Sequence, residues 1–108
     1  MTEAFEALAG LDKIVHEPAR LALLTALSAC DSADFLALQR LTGLTKGNLS
    51  THLSRLEEAG LVEIEKQFID KKPNTRVRLT REGRMAIENH WQQLQNLHDT
   101  AQQWHPEK

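Results

Sequence analysis

Six residues in the run KGNLSTHLSR have side chains able to bond a nucleic acid: Lys46, Asn48, Ser50, Thr51, Ser54 and Arg55. A Lys ammonium or Arg guanidinium can bond guanine O6 and N7, and an Asn carboxamide can bond adenine. Ser50 and Thr51 also suit phosphate oxygens, and Thr45, just ahead of them, belongs to the same group. A helix turns by ~100° per residue. That places Leu49, Leu53 and Leu56 on one face and Gly47, Ser50, Thr51, Ser54 and Glu58 on the other, with Lys46, Asn48 and Arg55 toward the flanks. A face of small polar residues can enter a major groove ~12 Å wide. Amphipathic helices also turn polar faces to plain water, so this helix alone does not separate a binding surface from a solvated one.

The charge distribution adds the deciding signal. The chain has 13 Lys and Arg against 15 Asp and Glu, a formal charge of −2. Nucleic-acid-binding domains are usually basic, so the average points away from one. Position changes that reading. Over residues 66–84, Lys66, Lys71, Lys72, Arg76, Arg78, Arg81 and Arg84 stand against Asp70 and Glu82, a net of +5 that leaves −7 on the rest. So one-sided a segment suits phosphate. Its bland counterpart is an edge hairpin protected from aggregation by Lys and Pro.

Other chemistry finds little support. One Cys rules out an internal disulfide and a zinc site of three or four cysteines. Cys30 reads as a packed small hydrophobe near a helix end. Five His invite a metal, but His98 has Ala101 and Gln102 where a second ligand would stand, and His90 has Gln93 and Leu94, so no metal and no cofactor is expected. His16 reads as polarity at a helix junction, and His52 as half-buried or touching phosphate. The chain contains no phosphate-binding Gly loop, G-x-S-x-G elbow or H-E-x-x-H helix, and it reads as a non-enzyme. Its apolar stretches are too short to span a membrane, and its acidic start has no signal-peptide core, so a cytoplasmic protein is expected.

The elements that must position these residues fit one domain over residues 1–108. Residues 2–15 carry a helix-like rhythm in Phe5, Leu8, Leu11, Ile14 and Val15, weakened at Gly10. Pro18 opens a helix to about residue 29. Asp31-Ser32-Ala33-Asp34 is turn chemistry, with Asp34 capping a short helix that Gly43 ends. Thr45 caps the next helix, which stops at Gly60. Apolar/polar alternation then marks two strands, about 61–66 and 76–79, around a loop at 70–75 with its tip near residues 71–74. Thr80 caps a last helix, about 81–104. The order makes a helix-turn-helix at about 35–59, a wing at about 61–79 and a terminal helix: a mainly α fold with a small β-hairpin, a winged helix-turn-helix of the α+β class.

DFLALQRLTGLTKGNLSTHLSRLEEAGLVEIEK followed by RVRLTREGR resembles the MarR-like and ArsR-like winged-helix transcriptional regulators. HEPARLALLTAL is similar to the opening helix of the same group, and the resemblance spans about residues 11–86. It implies sequence-specific binding to double-stranded DNA. It also implies that the wing tip, with Lys71, Lys72 and Arg76, touches backbone or minor groove. Asp70 resembles the family's wing aspartate, which orients an arginine, and Arg76 is the candidate partner.

The terminal helix carries Ile87, Trp91, Leu94, Leu97, Ala101 and Trp104 at steps of three and four. With Phe5, Leu8 and Leu11, this stripe is expected to form a homodimer interface flanking the winged domain. A twofold dimer sets two recognition helices ~34 Å apart, matching a pseudo-palindromic site. The simpler alternative is packing across the chain's own core. Two other functions stay open: a winged-helix protein-interaction module without DNA binding, and a DNA regulator with a small-molecule effector held between subunits near Trp91 and Trp104.

Overall fold

The computed structural model describes residues 10–106. Helix α1, Pro18–Ser28, begins where Pro18 needs no hydrogen-bond acceptor, and the Glu17 carboxylate accepts the Arg20 backbone N–H at 2.8 Å. Strand β1 is only Ala33–Asp34. Helix α2, Phe35–Thr42, is capped by the Asp34 side chain, which accepts from the Ala37 N–H at 2.7 Å. It closes on Gly43, whose φ of 68° is left-handed backbone that glycine adopts without steric cost. Helix α3, Lys46–Glu58, is capped by Thr45 Oγ1, which accepts from Asn48 N–H at 3.1 Å. Strands β2, Val62–Ile69, and β3, Lys72–Leu79, form the hairpin. Helix α4, Arg81–Gln102, is capped by Thr80.

The sheet is antiparallel, in the order β1-β3-β2. The three-helix body packs around Leu23, Leu24, Leu27, Leu38, Leu49 and Leu56, closed by Val62 and Val77 from the hairpin base and Ile87 from α4. These side chains supply most of the apolar burial that stabilises so small a domain.

Four sequence expectations change. Residues 10–15 form turns and bends rather than helix. The Asp12 carboxylate accepts the Ile14 N–H at 2.8 Å, offering the backbone a local alternative to the helical ladder. Residues 1–9, including Phe5 and Leu8, lie outside the described residues. Ala33 and Asp34 pair with Val77 and Arg76, so the expected turn also contributes a strand. The hairpin is longer than its alternation suggested, and only Asp70 and Lys71 turn it, with φ of 51° and 66°. Positive φ at both central residues matches the right-handed twist of the flanking strands. Pro73 and Asn74, expected in a loop, belong to β3. Pro73 lies opposite Phe68, one pair from the turn, where ladder alternation directs a strand's N–H away from its partner. Finally, Cys30 is exposed rather than packed.

Candidate nucleic-acid interface

Leu49, Leu53 and Leu56 anchor α3 in the core, and their burial fixes which side of the helix is presented. Lys46, Asn48, Ser50, Thr51, Ser54 and Arg55 are all exposed, as is the cap Thr45. Thr51 Oγ donates to the Gly47 carbonyl at 3.0 Å, so its hydroxyl proton is already committed within the helix. Glu57 and Glu58 also face outward and confine the positive character of the helix to the residues up to Arg55.

Alternation divides the hairpin ladder into two unlike faces. One holds Glu63, Glu65, Gln67 and Ile69 opposite Arg78, Arg76, Asn74 and Lys72. Its polar groups largely satisfy one another. Arg78 bridges Glu65 at 2.9 Å and Glu63 at 3.9 Å, and Gln67 donates to Asn74 at 3.2 Å. Arg76 donates to Ser32 Oγ at 3.1 and 2.9 Å. The expected Asp70–Arg76 pairing is therefore replaced. Asp70 makes the turn, while Arg76 sits toward the base of the hairpin beside β1. Counting the whole hairpin, five cations face three carboxylates, a net of +2. The window from residue 66 had left out Glu63 and Glu65, which hold Arg78.

The other ladder face carries Val62, Ile64, Lys66 and Phe68 opposite Leu79, Val77, Thr75 and Pro73. Its base is core, and beyond the core it opens toward α3. A groove of about 600 Å³ separates the two elements, with Lys46, Ser50, Ser54 and Glu57 on the helix side and Ile64, Lys66 and Thr75 on the strand side. Lys66 and Thr75 were absent from the expected contacts, because only the ladder register shows which face they share. Lys71 and Lys72 are exposed at the tip.

A polar cluster fixes α3 against α1. Arg20, 9% exposed, donates from Nε to the Ile14 carbonyl at 2.6 Å and from Nη2 to the Lys13 carbonyl at 3.2 Å. Its Nη1 lies 3.0 Å from His52 Nδ1, and the Glu17 carboxylate lies 3.6 Å from that same nitrogen. Burial pushes the Glu17 carboxyl up, but the backbone N–H groups of Arg20 and Ala19, then His52 and Arg20, hold it below the usual value. His52 is thus half-buried and held on the inner side of α3. Sequence spacing did not reveal this cluster, because His52 joins Arg20 and Glu17 from more than thirty residues further along the chain.

On α4, Ile87 is 1% exposed within the protomer's own core, which removes it from any partner surface. Trp91 is 46% exposed, and its Nε1 donates to Thr25 Oγ1 on α1 at 3.0 Å. Leu94 and Leu97 are half-buried, and Ala101 and Trp104 are exposed. His90, expected to be unpaired, is buried and packs on His16, with His90 Nε2 3.0 Å from His16 Nδ1. Burial, then the His16 charge, lowers its pKa against a smaller opposing effect of Asp12. Among the described residues, no three His, Cys, Asp or Glu side chains gather as a metal site, and no helix is long and apolar enough to cross a membrane.

Comparison with known proteins agrees with this geometry. Residues 19–98 match the family described as winged helix DNA-binding domain. An uncharacterised protein of Methanocaldococcus jannaschii is 34% identical over 85 residues, covering 79% of this chain and 92% of its relative. The structure of a transcriptional regulator homologue from Pyrococcus horikoshii superposes with a TM-score of 0.83 at 29% identity, covering 92% of this chain and 97% of that one. A MarR-family transcriptional regulator from Silicibacter pomeroyi superposes with a TM-score of 0.62 at 26% identity, covering 99% of this chain and 75% of that one.

Proposed function

Because this chain belongs to the winged helix DNA-binding domain family and is a transcriptional regulator of the MarR-like kind, we propose that it acts as a homodimer on a pseudo-palindromic site in duplex DNA. The observation that carries this reading is the continuity of two surfaces, one polar and one mixed, on either side of a single groove. The outer face of α3 and the open ladder face of the hairpin border one groove, with Lys46 and Lys66 on its two sides.

In this arrangement α3 enters the major groove. Lys46 and Asn48, in its first turn, reach base edges, as the N-terminal residues of recognition helices do. Ser50, Ser54 and Arg55 follow along the helix, with hydroxyls and guanidinium placed for phosphate or base, while Thr51, its proton given to Gly47, offers its oxygen to a base amino group. One phosphate strand passes over the groove between Lys46 and Lys66, and Lys71 and Lys72 meet backbone beyond it. Arg76 contributes by bracing the wing through Ser32 rather than by reaching DNA.

The dimer reading rests on the outer half of α4, where Trp91, Leu94, Leu97, Ala101 and Trp104 form a stripe with part of its surface open. The same seam is the site we assign to a small-molecule effector. A DNA-bound regulator works where the DNA lies, and in a cell without a nucleus that is the cytoplasm.

Selection of bound sequences from a random duplex pool tests the whole reading. The expected product is a pseudo-palindrome with half-sites one helical turn apart. Asn48→Ala or Lys46→Ala should relax the selected bases, whereas Lys71→Ala and Lys72→Ala should weaken all sequences alike. Enrichment of no sequence would contradict the proposal. A single asymmetric half-site, with a monomeric species in sedimentation, would remove the dimer and leave DNA binding in place.

A further inference from the structure

The wing ends in an apolar tip that phosphate binding does not explain. Phe68 is 76% exposed and Ile69 49% exposed, beside a turn made by two residues alone. Phe68 lies on the open ladder face, directly opposite Pro73. Two residues nearer the body on that face stand Lys66 and Thr75, which line the groove facing α3. Phe68 and its neighbour Pro73 make a small apolar patch at the end of a projecting element, continuous with the groove and able to be covered by whatever occupies it.

We propose that Phe68, backed by Pro73, is an apolar wedge that enters the minor groove of the bound duplex. This deepens the DNA-binding reading and rests on it. Charge complementarity selects the occupant, since Lys66 lies two residues before Phe68 on the same ladder face and Lys71 and Lys72 follow at and after the turn, with Asp70 the one carboxylate between residues 66 and 79. Position selects the groove. A phosphate strand held between Lys46 and Lys66 leaves Phe68 about 7 Å further along the ladder, the rise of two strand residues. That offset is comparable to the ~6 Å width of a minor groove, so the ring is carried off the strand held at Lys66 and onto the groove beside it. Apolar wedges there partly unstack a base step and bend the duplex toward the major groove. Flexible pyrimidine–purine steps are the cheapest to deform. The wing would thereby favour sequences at positions where no hydrogen bond reads a base.

The test compares wild type with Phe68→Ala, Phe68→Trp and Lys71→Ala on a mixed-sequence duplex labelled at both ends. Affinity is read by anisotropy against salt, and bending by energy transfer between the labels. Phe68→Ala should weaken binding roughly tenfold, the loss of one large apolar contact. It should leave the log–log salt slope unchanged and reduce the bend. Phe68→Trp should keep both affinity and bend. Lys71→Ala should instead lower the magnitude of the slope by ~0.9. Because Phe68 and Lys71 are both solvent-exposed, all variants should melt as the wild type does. Wild-type affinity and bending in Phe68→Ala would overturn the wedge. So would wild-type DNA binding combined with lost self-association, which would give the tip to a second copy of the chain. Absence of binding by the wild type itself would mean failure of the DNA reading beneath it.

Discussion

Gly83 sits in the first turn of α4, at the junction of the hairpin with the terminal helix. A Cβ placed there falls on the Leu61 carbonyl oxygen, well inside contact distance, and lies 2.9 Å from the carbonyl carbon and 3.0 Å from Leu79 Cδ2. The obstacle is backbone, and it is held. Leu61 O accepts the Thr80 N–H at 3.0 Å, and Leu61 N donates to Leu56 O at 3.0 Å. Two effects compete in Gly83→Ala. Alanine gains up to ~1 kcal/mol of helix propensity. Relieving the overlap means moving α4 away from the start of β2, and overpacking of this kind costs ~1–3 kcal/mol, with more when a hydrogen bond worth ~1 kcal/mol stretches as well. The overlap should win, for a net loss of about 2 kcal/mol. Urea unfolding followed by circular dichroism, at one fixed protein concentration, measures the difference. Gly47→Ala is the matched control. A Cβ at Gly47 meets nothing within 4 Å, so the same substitution should leave stability unchanged or raise it by up to ~1 kcal/mol. A Gly83→Ala midpoint equal to or above the wild type's would refute the close approach of α4 to Leu61.

Thr45→Ala removes the acceptor for the Asn48 N–H and should cost about 1 kcal/mol in the same assay, while Thr45→Asp should largely preserve stability. His90 titrates below the usual histidine range because it is buried beside His16. The unfolded chain therefore binds the proton more readily than the folded one. Stability is fully present above the unfolded pKa of about 6.5 and is lost as pH falls through the lower folded value. Melting followed from pH 7 to pH 5 should show this loss in the wild type and a shallower one in His90→Leu; equal slopes would contradict the buried histidine pair. The Glu17 carboxyl, also held low, should add a further loss at more acid pH that Glu17→Gln removes.

What was legible in the sequence was mainly local. Asp34, Thr45 and Thr80 announce helix starts because a short side chain bonding an N–H two or three residues on is a contact within one turn. Gly43 announces a helix end because its backbone conformation is its own property. The leucine seam of α3 follows from period alone, and with it the outward set from Lys46 to Arg55. Legibility failed where distant partners decide. Even at close range, Pro73 and Asn74 read as loop residues because Pro and Asn favour turns, yet pairing with Phe68 and Gln67 across the hairpin draws them into a strand. Arg76 looked free for phosphate until β1 brought Ser32 to it. Ile87 looked like part of a dimer stripe, but the first turns of α4 cover the chain's own core before the helix continues outward. His16 and His90 meet across 74 residues, a separation no spacing rule reaches.

In the proposed complex, the open face shared by α3 and the hairpin holds duplex DNA. Anisotropy of a labelled mixed-sequence duplex, titrated with the intact protein over a series of salt concentrations, tests it most directly. The expected result is binding that weakens steeply with salt, with a log–log slope of ~−0.9 for each phosphate neutralised and a smaller magnitude in Lys66→Ala. No binding at low salt, or a slope that Lys66→Ala leaves untouched, would contradict the placement of a phosphate strand in that groove.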